Sequence, residues 1–187
     1  MKKNAFKSIL SFCLVPCTIC VATSSFGSSR VSLESLKEPS FSQPINALVI
    51  SLDDRKCDFA PILPTIYLMN ALAEELSKRD IEYVIEEIEF HHRRDPSVAA
   101  HIAKINTVMN ITVASCKKSG LFGGGIELIY DVDVFDTSTN ETTWRARINA
   151  SAGRWGREKW MRSIANVLIN RLSEEKLIGS EPKPKGK

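Results

Sequence analysis

Residues 126–152 constrain this chain more tightly than any other stretch, because they are written in period two. Ile126, Leu128, Tyr130, Val132 and Val134 fall on one side, and Asp131 and Asp133 on the other. After a polar turn over residues 137–141, Trp144, Ala146, Ile148, Ala150 and Ala152 share a face, with Arg145, Arg147, Asn149 and Ser151 opposite. Strict alternation of this kind means strands with one face buried. Folding the pair about Thr139 brings Asp131 and Asp133 near Arg145 and Arg147. Opposite charges facing across an antiparallel pair contribute ~0.2–1 kcal/mol each. Their larger effect is on register, since a slip of one residue would turn every apolar side chain to water.

The rest of the chain alternates between strand and helix patterns. Residues 45–52 are a short apolar run bounded by Pro44 and by Asp53-Asp54, as in a buried strand. Thr65 can cap a helix over 65–78, whose stripe is Ile66, Met69, Leu72, Ala73 and Leu76. Residues 81–90 are β-rich. Asp95-Pro96 reads as an N-cap and first helical residue, opening a short helix through 105. Met109, Ile111 and Val113 alternate with polar residues in a strand over 107–114, and a glycine-rich connection reaches Gly125. A last helix over 157–176 has the stripe Met161, Ile164, Ala165, Leu168 and Leu172. Gly156 stands at its cap, Trp155 and Trp160 as a hydrophobic staple, and Gly179 as its terminator.

The predicted order is β-α-β-α-β-β-β-α. It describes an α/β (α+β) two-layer sandwich: a mixed sheet, a terminal antiparallel meander and a long C-terminal helix. The helices are expected on one face, with the charged side of the hairpin leaving the other face partly solvated.

Residues 1–27 stand apart. Lys2, Lys3 and Lys7 precede an apolar run over 9–22, and small residues lead to Gly27-Ser28. That is the layout of a secretory signal cleaved between Gly27 and Ser28. The run falls short of the ~20 apolar residues a spanning helix needs, and Pro16 interrupts it. A second reading is lipidation at Cys17, although Pro16 stands where a small residue is usual. The two predict different ends: an exported periplasmic protein, or one anchored at the outer membrane.

Removing that segment changes the composition. The 25 basic side chains fall to 22 without Lys2, Lys3 and Lys7, equal to the 22 acidic ones. A nucleic-acid partner, which requires a basic excess, is not expected. Residues 28–44 are serine-rich with two prolines and read as a linker, residues 45–179 as a single domain, and residues 180–187 as a disordered basic tail. Cys57 and Cys116 alone survive processing. In an oxidising compartment they suggest one disulfide, and the other reading is two buried thiols. Both lie just beyond strand ends, so the sulfurs could meet if those strands are parallel neighbours.

The closing stretch resembles a group of bacterial envelope proteins. The residues that carry the resemblance are Tyr130-Asp131-Val132-Asp133-Val134-Phe135-Asp136, then Thr143-Trp144-Arg145-Ala146, then 164–172 in the final helix. There a strand ends at an aspartate, a turn follows, and the next strand starts near a tryptophan. The stretch is similar to the N-terminal domain of the Tol-Pal translocation protein, the curli-secretion channel subunit and small predicted lipoproteins of like fold. The resemblance implies a binding or assembly role at the envelope and brings no catalytic residues with it.

Few polar clusters invite chemistry. His91-His92-Arg93-Arg94, with His101 nearby, lacks the ligand spacing of a metal site, since adjacent strand residues point apart. Gly123-Gly124-Gly125 lacks the lysine and hydroxyl residue of a phosphate loop and opens a strand. Leu121 and Phe122 beside those glycines read either as a docking knob or as side chains folded over the sheet edge. Asp53, Asp54 and Asp58 follow the first strand, where ligands of open α/β sheets bind. The expectation is a non-enzymatic exported protein, without cofactor or metal, acting through an envelope protein partner. The rival is a small-ligand carrier or hydrolase using the 53–58 end of the sheet.

Overall fold

The computed structural model describes residues 30–37, 44–54, 56–57, 63–86, 96–119, 125–139, 141–153 and 156–179. Its elements are β1 (Arg30–Lys37), β2 (Ala47–Asp53), α1 (Leu63–Lys78), β3 (Glu82–Glu86), α2 (Pro96–Ala103), β4 (Thr107–Ser119), β5 (Gly125–Asp136), β6 (Glu141–Ala152) and α3 (Arg157–Glu174). They make an α/β fold with one mixed sheet of six strands in the order β1-β6-β5-β4-β2-β3.

The β5–β6 hairpin follows its alternation. Asp131 pairs with Arg147 and Asp133 with Arg145 in the backbone register, and the side chains meet at 2.7 and 2.5 Å. Thr143 is an extra residue on β6 opposite Val134 and Phe135. Its hydroxyl donates to the Val134 carbonyl at 2.9 Å and settles that buried irregularity.

Two expectations are corrected. Residues 30–37, read as part of a linker, form an edge strand antiparallel to β6, with Val31 facing Ala150 and Leu33 facing Ile148. The second correction concerns the layers. α1 and α3 share the inner face, but α2 covers the opposite one. Val49, Ala100, Ile105 and Val108 form a second small core there, while Leu48, Ile50, Leu52, Met109 and Ile111 belong to the main core. The reason is topological. β3 and β4 are both parallel to β2 but lie on either side of it. The step β2→β3 therefore runs one way along the sheet and β3→β4 runs back. Right-handed crossovers in opposite directions must place their helices on opposite faces. Where α2 lies the architecture is three layers deep; across β5, β6 and β1 the outer face carries the charged ladder.

Among the described residues all three helices stop in the same way, none of them with glycine. Asp80, Lys104 and Lys176 have φ of 60, 56 and 60°. In each case the next residue donates its N–H back across the final turn: Ile81 to Leu76, Ile105 to Ala100 and Leu177 to Leu172. Ile81, Ile105 and Leu177 are buried. This is a Schellman stop with its apolar contact, and Lys176 takes the place expected of Gly179. An L-residue in the left-handed region costs about 1–2 kcal/mol. Lys104→Gly and Lys176→Gly are therefore each expected to raise stability by about 1 kcal/mol in urea unfolding.

α1 and α3 are joined along their outer edge. Arg162 bonds Glu74; Lys78 reaches Glu74 at 2.9 Å and Glu75 at 2.6 Å; Arg79 bridges Glu75 and Asn170. Hydrogen bonds from Lys78 and Arg162 hold Glu74 below its usual value of 4.5. Partial burial pulls Glu75 upward, but bonds from Lys78 and Arg79 outweigh it and leave it lowered. The Ser138 hydroxyl and backbone N–H lower Asp136 from 3.8 in the hairpin turn. Each carboxylate is more acidic folded than unfolded. Its contribution is complete above the unfolded value and disappears as pH falls through the folded one. The urea midpoint should fall as pH drops below about 4.5, modestly because the groups are mostly exposed. An unchanged midpoint down to pH 3 would show that these pairs contribute nothing.

Candidate functional site

The reversal of direction at β2 creates a switch point between the carboxyl ends of β2 and β4, where open α/β sheets bind ligands. The residues around it are Asp53, Asp54, Cys57, Cys116 and Tyr130.

Cys57 and Cys116 are joined by a disulfide with α-carbons 5.2 Å apart. Parallel pairing of β2 with β4 is what brings them together, but a bulge completes the arrangement. Val113 pairs with Tyr130 and Ser115 with Ile129, so Ala114 is the extra residue. That insertion inverts the alternation and turns Cys116 to the inner face, opposite Leu128 and against the main core, where Cys57 is buried. Without it Cys116 would point to the outer face and could not reach Cys57.

The carboxylates do not converge on an open cleft. Asp53 is buried, at 9% exposure. Asp54 accepts a hydrogen bond from Thr65 Oγ1 at 2.6 Å. Thr65 does not stand at the cap of α1, because the helix starts at Leu63. It instead ties the first turn to the end of β2. Tyr130 donates to Met161 Sδ at 4.0 Å inside the core. Burial, and secondarily the nearby Asp54 charge, push its hydroxyl well above the ordinary phenol range. It is a neutral donor at physiological pH and not a proton acceptor. The switch point is thus bridged by a disulfide, with Asp54 engaged by Thr65 and Tyr130 by Met161.

A second polar cluster lies at the opposite end of the inner face. Glu175, just past α3, accepts from the Ser35 hydroxyl of β1 and from Trp144 Nε1 of β6 at 2.5 Å, and pairs with Arg171 at 3.1 Å. Beside it Ile45 donates to the Leu177 carbonyl at 2.7 Å. The sequence reading missed this clasp. Its only sequence signal is a buried tryptophan that needs an acceptor.

His101 is exposed on α2, apart from the switch point. Among the described residues no group of three or more His, Cys, Asp or Glu side chains is placed to hold a metal ion. His91, His92, Arg93, Arg94, Asp58, Leu121, Phe122 and Trp155 lie outside the described residues, as do Cys17, Gly27, Ser28 and the tail over 180–187. No helix among the described residues is long and apolar enough to cross a membrane.

No protein-family model and no curated protein matches the chain. Solved structures do. The PelC dodecamer from Paraburkholderia phytofirmans is similar over 76% of this chain and 96% of that chain, with a TM-score of 0.53 and 17% identity. A point variant of the same dodecamer, in another crystal form, covers the same shares, with a TM-score of 0.52 and 18% identity. The likeness is one of fold.

Proposed function

We propose that this chain is an exported, non-enzymatic envelope protein that works through protein–protein contacts and assembles with copies of itself. The observation that carries the reading is the fold shared across 96% of the PelC chain in two solved dodecamers. The Cys57–Cys116 disulfide supports an oxidising compartment outside the cytoplasm, in keeping with the basic and apolar residues at the start of the chain. Engagement of Asp54 with Thr65 and burial of Asp53 weigh against the carrier or hydrolase reading. The resemblance of 130–136, 143–146 and 164–172 to the Tol-Pal and curli-secretion proteins points to the same kind of role.

Two measurements test this. The intact mass of the protein recovered from the envelope should match a chain beginning at Ser28; a chain beginning at a lipidated Cys17 would make it a membrane-anchored form of the same protein. Sedimentation velocity of the processed protein should show a species of several copies. A monomer at about 100 μM, weaker than a micromolar contact would allow, or recovery only in the cytoplasm, would overturn the reading.

A further inference from the structure

Among the described residues four large apolar side chains are exposed: Leu36, Ile66, Val98 and Ile102, at 47, 46, 48 and 70%. Two of the four lie one turn apart on α2. This helix buries Pro96 and Ala100, and Val98 and Ile102, four residues apart, stand together on its other side. Neither contributes to the core, and neither β-branched residue favours an eight-residue helix. A charged side chain would serve a solvent-facing position better.

Among the described residues the outer face near this strip carries charged side chains. His101 and Lys104 are exposed on and just after α2, and the Asp131–Arg147 and Asp133–Arg145 pairs occupy the uncovered half of the sheet. An apolar centre within a charged rim is the composition of a protein contact. We propose that Val98 and Ile102 form the apolar centre of the surface through which copies of this chain bind one another. The proposal rests on the self-assembly reading and names its surface. Two features favour a second copy as the occupant. The two PelC structures that share this fold are dodecamers. The charged ladder beside α2 is paired within the chain, Asp131 with Arg147 and Asp133 with Arg145, so it offers little net positive charge to an anionic lipid surface. Two side chains cannot fill the ~1,200 Å² of a stable interface, so the contact extends from α2 onto its polar surroundings.

The test is sedimentation velocity on the processed protein and on Val98→Ser with Ile102→Ser, with Leu36→Ser as a control. The double variant should need at least about tenfold more protein to assemble, with an unchanged thermal transition, and the control should assemble as the parent does. If the double variant fails to fold, Ile102→Thr alone carries the test. A parent that assembles and a double variant that assembles equally well would overturn this surface and leave self-assembly standing. A monomeric parent would remove both. Flotation with vesicles of phosphatidylethanolamine and phosphatidylglycerol separates the remaining occupant: a monomeric parent that binds them through Val98 and Ile102 would assign the strip to lipid and overturn the proposal.

Discussion

Replacing Cys57 and Cys116 together by serine is expected to lower stability by about 4 kcal/mol and the thermal midpoint by roughly 8–15 °C. The size follows from the loop. The bond joins residues 59 positions apart, and on a chain-entropy model cross-linking so long a segment removes that much freedom from the unfolded state. The folded state should change little, because Cys57 is held in the main core and Cys116 by the β4–β5 ladder. Reduction of the parent protein should reproduce the shift in differential scanning calorimetry. If reduction leaves the midpoint within about 2 °C, the bond decorates a fold that stands without it.

Trp144→Ala should cost about 3–5 kcal/mol, the range for removing a fully buried tryptophan. Trp144 is 0% exposed, lies across from Val134 and donates to Glu175. Two weaker changes divide the loss. Trp144→Phe keeps most of the volume but deprives Glu175 of a donor, and should cost about 1–3 kcal/mol. Glu175→Ala leaves the indole N–H and the Ser35 hydroxyl without their acceptor and should cost about the same. Because the two changes remove one interaction, the double variant should lose less than the sum. Additive losses in urea unfolding would mean that the hydrogen bond carries no stability of its own.

These effects show which parts of the fold could be read in advance. Among the described residues eight of the nine elements are legible in the sequence, through local patterns: a period of two in β5 and β6, of 3.6 in α1 and α3, and an unbroken apolar run in β2. The partners of Asp131 and Asp133 follow from counting across one turn. β1 escapes because Val31 and Leu33 are only half-buried at an edge, among serines, and their partners Ala150 and Ile148 lie far along the chain. The side of the sheet taken by α2 depends on strand order, which no local pattern encodes. One signal is present. The unbroken run through Leu48, Val49 and Ile50 is what a strand covered on both faces requires, whereas β5 and β6 alternate. The disulfide is foreseeable as an option. The bulge at Ala114 that makes it feasible is not, since a single inserted residue leaves no trace in composition.

The clasp around Glu175 has a consequence for how the protein comes into being. Ser35 and Glu175 are 140 positions apart in sequence, and Ile45 is bonded to Leu177 and bridged to Ile178. One side chain of the first strand and the segment leading into the second are thus held by the final residues of the domain. A chain that emerges from a ribosome N-terminus first cannot complete this clasp until residue 178 is free. β1 itself must wait for β6, its partner more than 100 positions on, and such long-range contacts form slowly. Such a domain becomes whole only when its last residues are in place.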